Sequence, residues 1–449
     1  MFRRDDRTHR TVRVTSGNSS SPALILLRFG CDAESVKRGL VLISILLFAL
    51  PRADHPALPY GISGLDLCLI PLGLGLLVSF ARRGDIALPR DPLFIYILLV
   101  PIIFLCSNLI SFLFQHDREP FVRGVLQSFR RVTPAMLLLL LWQTTYRQSD
   151  LIRLCKLLVA STLLGAGLFL LLANGLLQPF ALRGHLTGNP LAVLAGAVGF
   201  PAVADVLTNY RFAGNTGSPT TYGIICGMQL LMLLAMYRRG MIRTWFFLTI
   251  SVLLSLLLLA TASKSALAIT IPLYAASLSR RHGLLMVAVM VAVVILLARQ
   301  NVAVDISSSL ISAGESSLTE RLQIHGVAAD EVETYLRVML LGEGWRSREV
   351  GWHSEPLELL MGLGMPLGAL SMLVIYLYIP WRILRTHSSA LSPFSSGAMM
   401  AMYAIMAFCS LFQDIIHDSN MLYVFVVLLL VLVKSVALDR DRQADGRSV

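Results

Sequence analysis

The run LFIYILLVPIIFLCSNLISFLF, residues 93–114, carries no charged side chain. Wound as a helix at about 1.5 Å per residue, it reaches across the roughly 30 Å hydrocarbon core of a bilayer. Similar apolar runs of roughly 17–24 residues, each bounded by charged clusters, recur along the chain. They predict about twelve spans, near 38–51, 62–80, 93–114, 121–142, 151–173, 220–237, 244–262, 264–279, 284–298, 357–380, 397–415 and 420–437. Composition agrees, with 55% of the 449 residues hydrophobic, 14% charged and a mean hydropathy of +0.70. The fold class expected is all-α, a polytopic bundle of about twelve transmembrane helices with a large external helical loop.

Basic residues set the orientation, because Lys and Arg are retained on the cytoplasmic side. Most of the 38 Lys and Arg fall on one set of segments. Examples are Arg82 with Arg83, Arg238 with Arg239, Arg280 with Arg281, and Arg382 with Arg385. Both termini are then cytoplasmic, and Trp142, Trp245 and Trp381 lie at inner boundaries as an aromatic belt requires. The net charge of +11 is thereby topological. It needs no nucleic-acid partner, although such a surface also suits anionic membrane lipids. Residues 1–37, with TSGNSSSP, read as a disordered cytoplasmic tail without a cleavable signal, 38–437 as the membrane domain, and 438–449 as a second tail. Cys68, Cys106, Cys226 and Cys409 fall in spans, and Cys31 and Cys155 on the inner side. That leaves no external disulfide and no metal-like spacing.

Two external segments, 174–219 and 299–356, are too long for simple connections, and loops of that size are usually functional. The first holds Arg183, His185 and then RFAGNTGSPTTYG, residues 211–223, a turn-rich approach to the sixth span. Its apolar stretch 190–206, interrupted by Gly196, Gly199 and Pro201, is either a re-entrant or interfacial helix or a thirteenth crossing. A crossing would place Arg238, Arg239, Arg280 and Arg281 outside. In the second segment Leu322, Val327, Val332, Leu336 and Leu340 recur at near-helical spacing behind a cap at Ser317 or Thr319, which predicts an amphipathic helix over the bundle mouth.

That segment ends in WRSREVGWHSEP, residues 345–356. Ser354 suits a helix cap and Pro356 a first turn, so the next span begins with its N-terminus outward and His353 beside it. Free backbone N–H groups there attract anions, and the positive helix end disfavours a protonated imidazole, leaving His353 able to accept a proton. TASKSAL, residues 261–267, puts Lys264 at a tight external turn, where it must snorkel or meet an anion. Arg130 and Arg131 fall in the fourth span. Either they line a polar cavity or that span starts only at Val132.

These segments, in this order, resemble the bacterial O-antigen ligase and polysaccharide polymerase family. RFAGNTGSPTTYG is similar to its Arg-bearing, Pro-containing approach to a helix, and LLATASKSAL to its Ser-Arg turn. TERLQIH resembles the start of its large periplasmic loop, LLGEGW its Gly-x-Gly, and WHSEPLELLMGLGMPLGAL its His-Asn/Ser segment with glycines opening a span. Thr220, Lys264 and the glycine spacing GMPLG depart from that pattern. The resemblance implies a multi-pass protein of the bacterial inner membrane whose active site faces the periplasm. It implies a glycan donor on undecaprenyl diphosphate, attacked with inversion by a saccharide hydroxyl, with no cofactor and no metal. By the same resemblance Arg211, Arg321 and Lys264 bind the diphosphate and His353 is the general base. Trp345, Trp352 and Tyr335 are sugar or acceptor contacts, and Arg346 and Arg348 are weaker choices for the clamp. The growing polysaccharide is the preferred acceptor and the lipid A core the alternative, with a flippase and a chain-length regulator as partners. A secondary transporter and a non-enzymatic membrane scaffold are the readings from other classes. Ionisable residues in the spans, chiefly Asp66 and Asp414 besides the arginine pair, are few for a transporter.

Overall fold

The structure, a computed structural model, describes residues 32–51, 53–55, 58–83, 86, 88–115, 118–171, 196, 199, 212–261, 263–277, 355–387, 389–411 and 416–444. The chain opens with α1 (Ala33–Leu47), capped by the Asp32 carboxylate. A hairpin of β1 (Ala53–His55) and β2 (Leu58–Ile62) follows. This hairpin is absent from the sequence reading. Pro51, Pro56 and Pro59 are poorly suited to a helix interior, and the two strands pair antiparallel, His55 opposite Leu58. Ser63 and Asp66 then form a reciprocal capping box that starts α2 (Gly64–Leu67), continued by α3 (Leu69–Arg83).

The long helices come next: α4 (Pro92–Gln115), α5 (Arg118–Arg130), α6 (Val132–Gln143) and α7 (Gln148–Leu171). Later in the chain come α8 (Pro219–Arg238), capped by Ser218 with Pro219 in the first turn, α9 (Thr244–Ala260) and α10 (Lys264–Ser277). The last group is α11 (Glu355–Leu363), α12 (Met365–Leu373), a π-helical turn (Val374–Tyr378), α13 (Ile379–Arg385), α14 (Ser396–Ser410) and α15 (Ser419–Ala444). Among the described residues, seven helical stretches are long and apolar enough to cross a membrane: Gly64–Arg82, Pro92–Ile110, Gly124–Gln143, Gln148–Leu171, Pro219–Arg238, Met365–Arg385 and Ser419–Ala444. Three shorter apolar helices join them, Thr244–Ala260, Ser265–Ser277 and Ser396–Ser410. About twelve spans were expected over the whole chain; the one near 284–298 and, but for Gly196 and Gly199, the stretch 190–206 lie outside the described residues.

Two helices make the centre. α8 is buried over nearly its whole length and α15 over most of it. Gly223 and Gly227, four residues apart on α8, let it approach its neighbours closely, as small residues do between membrane helices. A β-carbon at Gly223 would lie 2.9 Å from Thr261 Oγ1, and one at Gly227 2.4 Å from Thr270 Oγ1. The outer faces are apolar instead. Ile70, Leu74 and Leu77 form a stripe on α3, and Leu370, Leu373 and Leu377 another on the 365–385 span, all exposed as a lipid-facing wall requires.

Basic residues gather at one end. Arg38 pairs with Asp150 at 3.1 Å, Arg382 with Asp91 at 2.8 Å, and Lys434 Nζ donates to Trp142 O at 2.6 Å. Glu34 anchors the same end. Burial pushes its carboxyl upward, but hydrogen bonds from Lys37 and the Thr145 amide outweigh that and hold it below the usual carboxylate range.

The span expected near 357–380 proves to be two helices. The run from 357 onward, anticipated as continuous to 380, breaks at Gly364, whose φ is +77°. α11 therefore packs back on α12, and Gly368 permits the contact: a β-carbon there would lie 2.4 Å from Leu359 O. The departure of GMPLG from the pattern it resembles thus has a steric purpose here. Because backbone cannot yield to that clash, Gly368→Ala is expected to destabilise the protein by about 1–3 kcal/mol. Thermal melting in detergent reads this directly, and an unchanged midpoint would refute the tight packing.

Candidate functional site

Four separate segments meet at the end of the bundle opposite the basic one. The first is the turn 212–218. Phe212 N donates to Ala260 O at 3.3 Å, and its ring packs edge-on against Phe169 and Tyr222. Gly214 takes a φ of +52° directly against the Tyr222 ring, a place no side chain fits. Asn215 Nδ2 donates to Phe48 O, and Thr216 Oγ1 bridges Ala213 O at 3.0 Å and Ser218 O at 2.8 Å. A dense local network therefore fixes the chain that enters α8.

The second segment joins α9 to α10, where the Thr261 hydroxyl donates to Leu258 O at 2.7 Å and accepts from Ser263 N at 3.2 Å. Thr261 lies against Gly223 of α8, so two stretches of the resemblance are in direct contact. The third is the start of α11. Glu355, 0% exposed, accepts from Ile416 N at 2.8 Å, from His417 N at 3.1 Å and from His417 Nδ1. The fourth is the segment 416–420 that leads into α15, which Asn420 Nδ2 ties back to Thr216 O at 3.4 Å.

His417 is the hub. Three donors converge on the Glu355 carboxyl, and with Nδ1 donating to it, Nε2 accepts from the Tyr96 hydroxyl at 2.8 Å. The ring stands edge-on to Phe104 at 5.0 Å, and Arg131 covers the same phenyl with its guanidinium carbon 4.7 Å from the centroid. Arg131 Nε donates to His417 O at 2.9 Å, and Nη1 to Gln127 O at 2.8 Å. Arg131 occupies the break between α5 and α6, while its neighbour Arg130 turns to Asp66 at 3.2 Å. Both arginines therefore have partners inside the apolar stretch Gly124–Gln143. Ser107 Oγ donates to Gly362 O at 2.7 Å and completes the seam between α4 and α11.

The residues expected from sequence divide in two. Arg211, Arg321, Tyr335, Trp345, Trp352 and His353, with Arg346 and Arg348, lie outside the described residues. Lys264 is placed only by its backbone, as the first residue of α10. Phe212 follows Arg211 in the chain, Glu355 comes two residues after His353, and both belong to this end. Sequence reasoning missed Glu355, His417 and Tyr96. The polar run QDIIHDSN, residues 413–420, between two apolar spans was the available signal for His417. No family model matches the chain, and no curated protein matches it either.

Proposed function

We propose that this chain is a membrane glycosyltransferase that moves a glycan from undecaprenyl diphosphate to a saccharide hydroxyl, in O-antigen or exopolysaccharide assembly. One observation carries the reading. The described parts of the resembling segments, 212–223, 261–267 and the start of α11, come from distant places in the chain and converge on one end of the bundle. That end is remote from the basic one, so the positive-inside tendency turns it toward the periplasm. In this reading Arg211, Arg321 and Lys264 bind the diphosphate, as guanidinium and ammonium groups do, and His353 takes the acceptor proton. Trp345, Trp352 and Tyr335 offer flat faces to sugar rings. The preferred acceptor is the growing polysaccharide, with the lipid A core as alternative.

The test is transfer in vitro from purified lipid-linked glycan. His353→Ala is expected to slow it by about 10²–10⁴-fold, the usual worth of a general base. Arg211→Ala and Arg321→Ala should weaken donor use while the proteins remain folded. Full activity in all three variants would sink the assignment.

A specific observation favours a second reading, a secondary transporter. Glu355, His417 and Arg131 are buried ionisable groups within the bundle, and the helix broken at Gly364 is of the kind that frames transporter sites. Transfer by detergent-solubilised protein, with no ion gradient present, separates the two.

A further inference from the structure

We propose that the basic end of the bundle carries a binding site for an anionic phospholipid, seated between α8, α10 and α14. A cavity of about 380 Å³ opens there, within the range of small-molecule sites. Its walls divide by chemistry. Leu231, Leu234 and Ala235 of α8, Ala276 of α10, and Ala398 and Ala401 of α14 make one side apolar. Arg238, Ser277, Ser395 and Gly397 make the mouth polar.

The mouth is built for a phosphate. Arg239 is occupied elsewhere, because Nη1 donates to Ser389 O at 2.7 Å and Ser392 O at 2.6 Å, and Asp439 faces it. It holds the loop that leads into α14. Arg238 is exposed at the cavity and has no protein partner among the described residues, so its guanidinium is the one left for a ligand. Opposite it stands the N-terminus of α14. Ser395 spends its hydroxyl on Ala398 N at 3.1 Å and its carbonyl on Met399 N at 2.9 Å. The N–H groups of Ser396 and Gly397 stay open to an anion, as first-turn amides do. Gly397 keeps that approach clear, since a β-carbon there would meet nothing nearer than Ser395 Oγ at 3.7 Å.

The apolar wall decides between a free phosphate and a lipid. From Arg238 to Leu231 the α8 surface runs about 10 Å along the helix, away from the basic end, and a bare phosphate would leave it uncovered. A phosphodiester with an acyl chain covers both. A headgroup bearing its own cation would set that charge against Arg238, so a monoanionic lipid such as phosphatidylglycerol fits best. Basic pockets between membrane helices bind anionic headgroups on the cytoplasmic side, the side to which the positive-inside tendency assigns this end.

The experiment uses the full chain in detergent and follows its thermal midpoint during titration with phosphatidylglycerol, phosphatidylcholine or inorganic phosphate. Phosphatidylglycerol is expected to raise the midpoint, and the other two to leave it unchanged. Arg238→Ala should weaken that binding about fivefold, the worth of one arginine at an anionic headgroup. Gly397→Glu should weaken it at least as much. Arg385→Ala removes an equal charge at the same end, where Arg385 stacks on Trp381 outside the cavity, and should bind as wild type does. The proposal fails if phosphatidylcholine stabilises equally, or if inorganic phosphate alone gives the full shift. It fails equally if Arg385→Ala loses as much as Arg238→Ala, or if Arg238→Ala and Gly397→Glu bind unchanged.

Discussion

Glu355→Ala is expected to cost about 3 kcal/mol of stability or more, because three buried donors lose their one acceptor. The size follows from what the carboxyl holds. Its two oxygens take Ile416 N, His417 N and His417 Nδ1, and none of the three can reach water, because both side chains are 0% exposed. Each buried donor left without an acceptor costs about 1–3 kcal/mol. With a total stability of about 5–15 kcal/mol, the loss is a large fraction of what keeps such a protein folded. Glu355→Gln should fall between, since an amide oxygen still accepts but its NH₂ then faces a donor. His417→Ala removes the same bond from the other side, so the double variant should lose less than the sum of the singles, by about 0.5–3 kcal/mol. Thermal melting of the four variants beside wild type in detergent reads all of this. A Glu355→Ala protein that melts with wild type would show that the pair carries no load.

That pair also marks the limit of what the sequence discloses. Apolar length is a local property, so the helices α3, α4, α7, α8 and α15 were legible from runs of hydrophobic residues alone. The basic end was legible too, because the positive-inside tendency concerns residues within a few positions of a span. The contact of Glu355 with His417 joins residues 62 positions apart, and no periodicity or composition connects them. The break at Gly364 was hidden for another reason. LLMGLGMPLGAL, residues 359–370, is apolar throughout, and hydropathy does not register a positive φ. The hairpin at 53–62 was masked by its length, which is that of an ordinary connection between spans. Of the candidate site, sequence order named segments that come together, whereas the polar hub joining two of them emerged only with packing.

Arg131 and Arg130 are adjacent, share a charge and occupy the same apolar stretch, yet replacing them by Met is expected to have very different results. Arg131 is 1% exposed and anchors three elements: its own helix break through Gln127 O, the 416–418 segment through His417 O, and α4 through the face of Phe104. A methionine fills the volume but removes the hydrogen bonds to both carbonyls, so Arg131→Met should cost about 2–6 kcal/mol, at about 1–3 for each buried acceptor left unpaired. Arg130 makes a bond of similar geometry to Asp66, but its side chain is 14% exposed and that of Asp66 24%, so water compensates part of the loss. Its replacement should cost about 1 kcal/mol, near the upper limit for solvent-accessible pairs. Arg131→Lys separates charge from shape. An ammonium keeps the charge, but one nitrogen replaces the two that serve separate carbonyls, and it lacks the plane that lies over Phe104, so it should restore only part of the loss. Melting of the three variants beside wild type decides the matter. Equal losses at 130 and 131 would mean that the junction of α5 and α6 is held by the Asp66 pair, and that the hub around His417 is a consequence of the fold and not one of its supports.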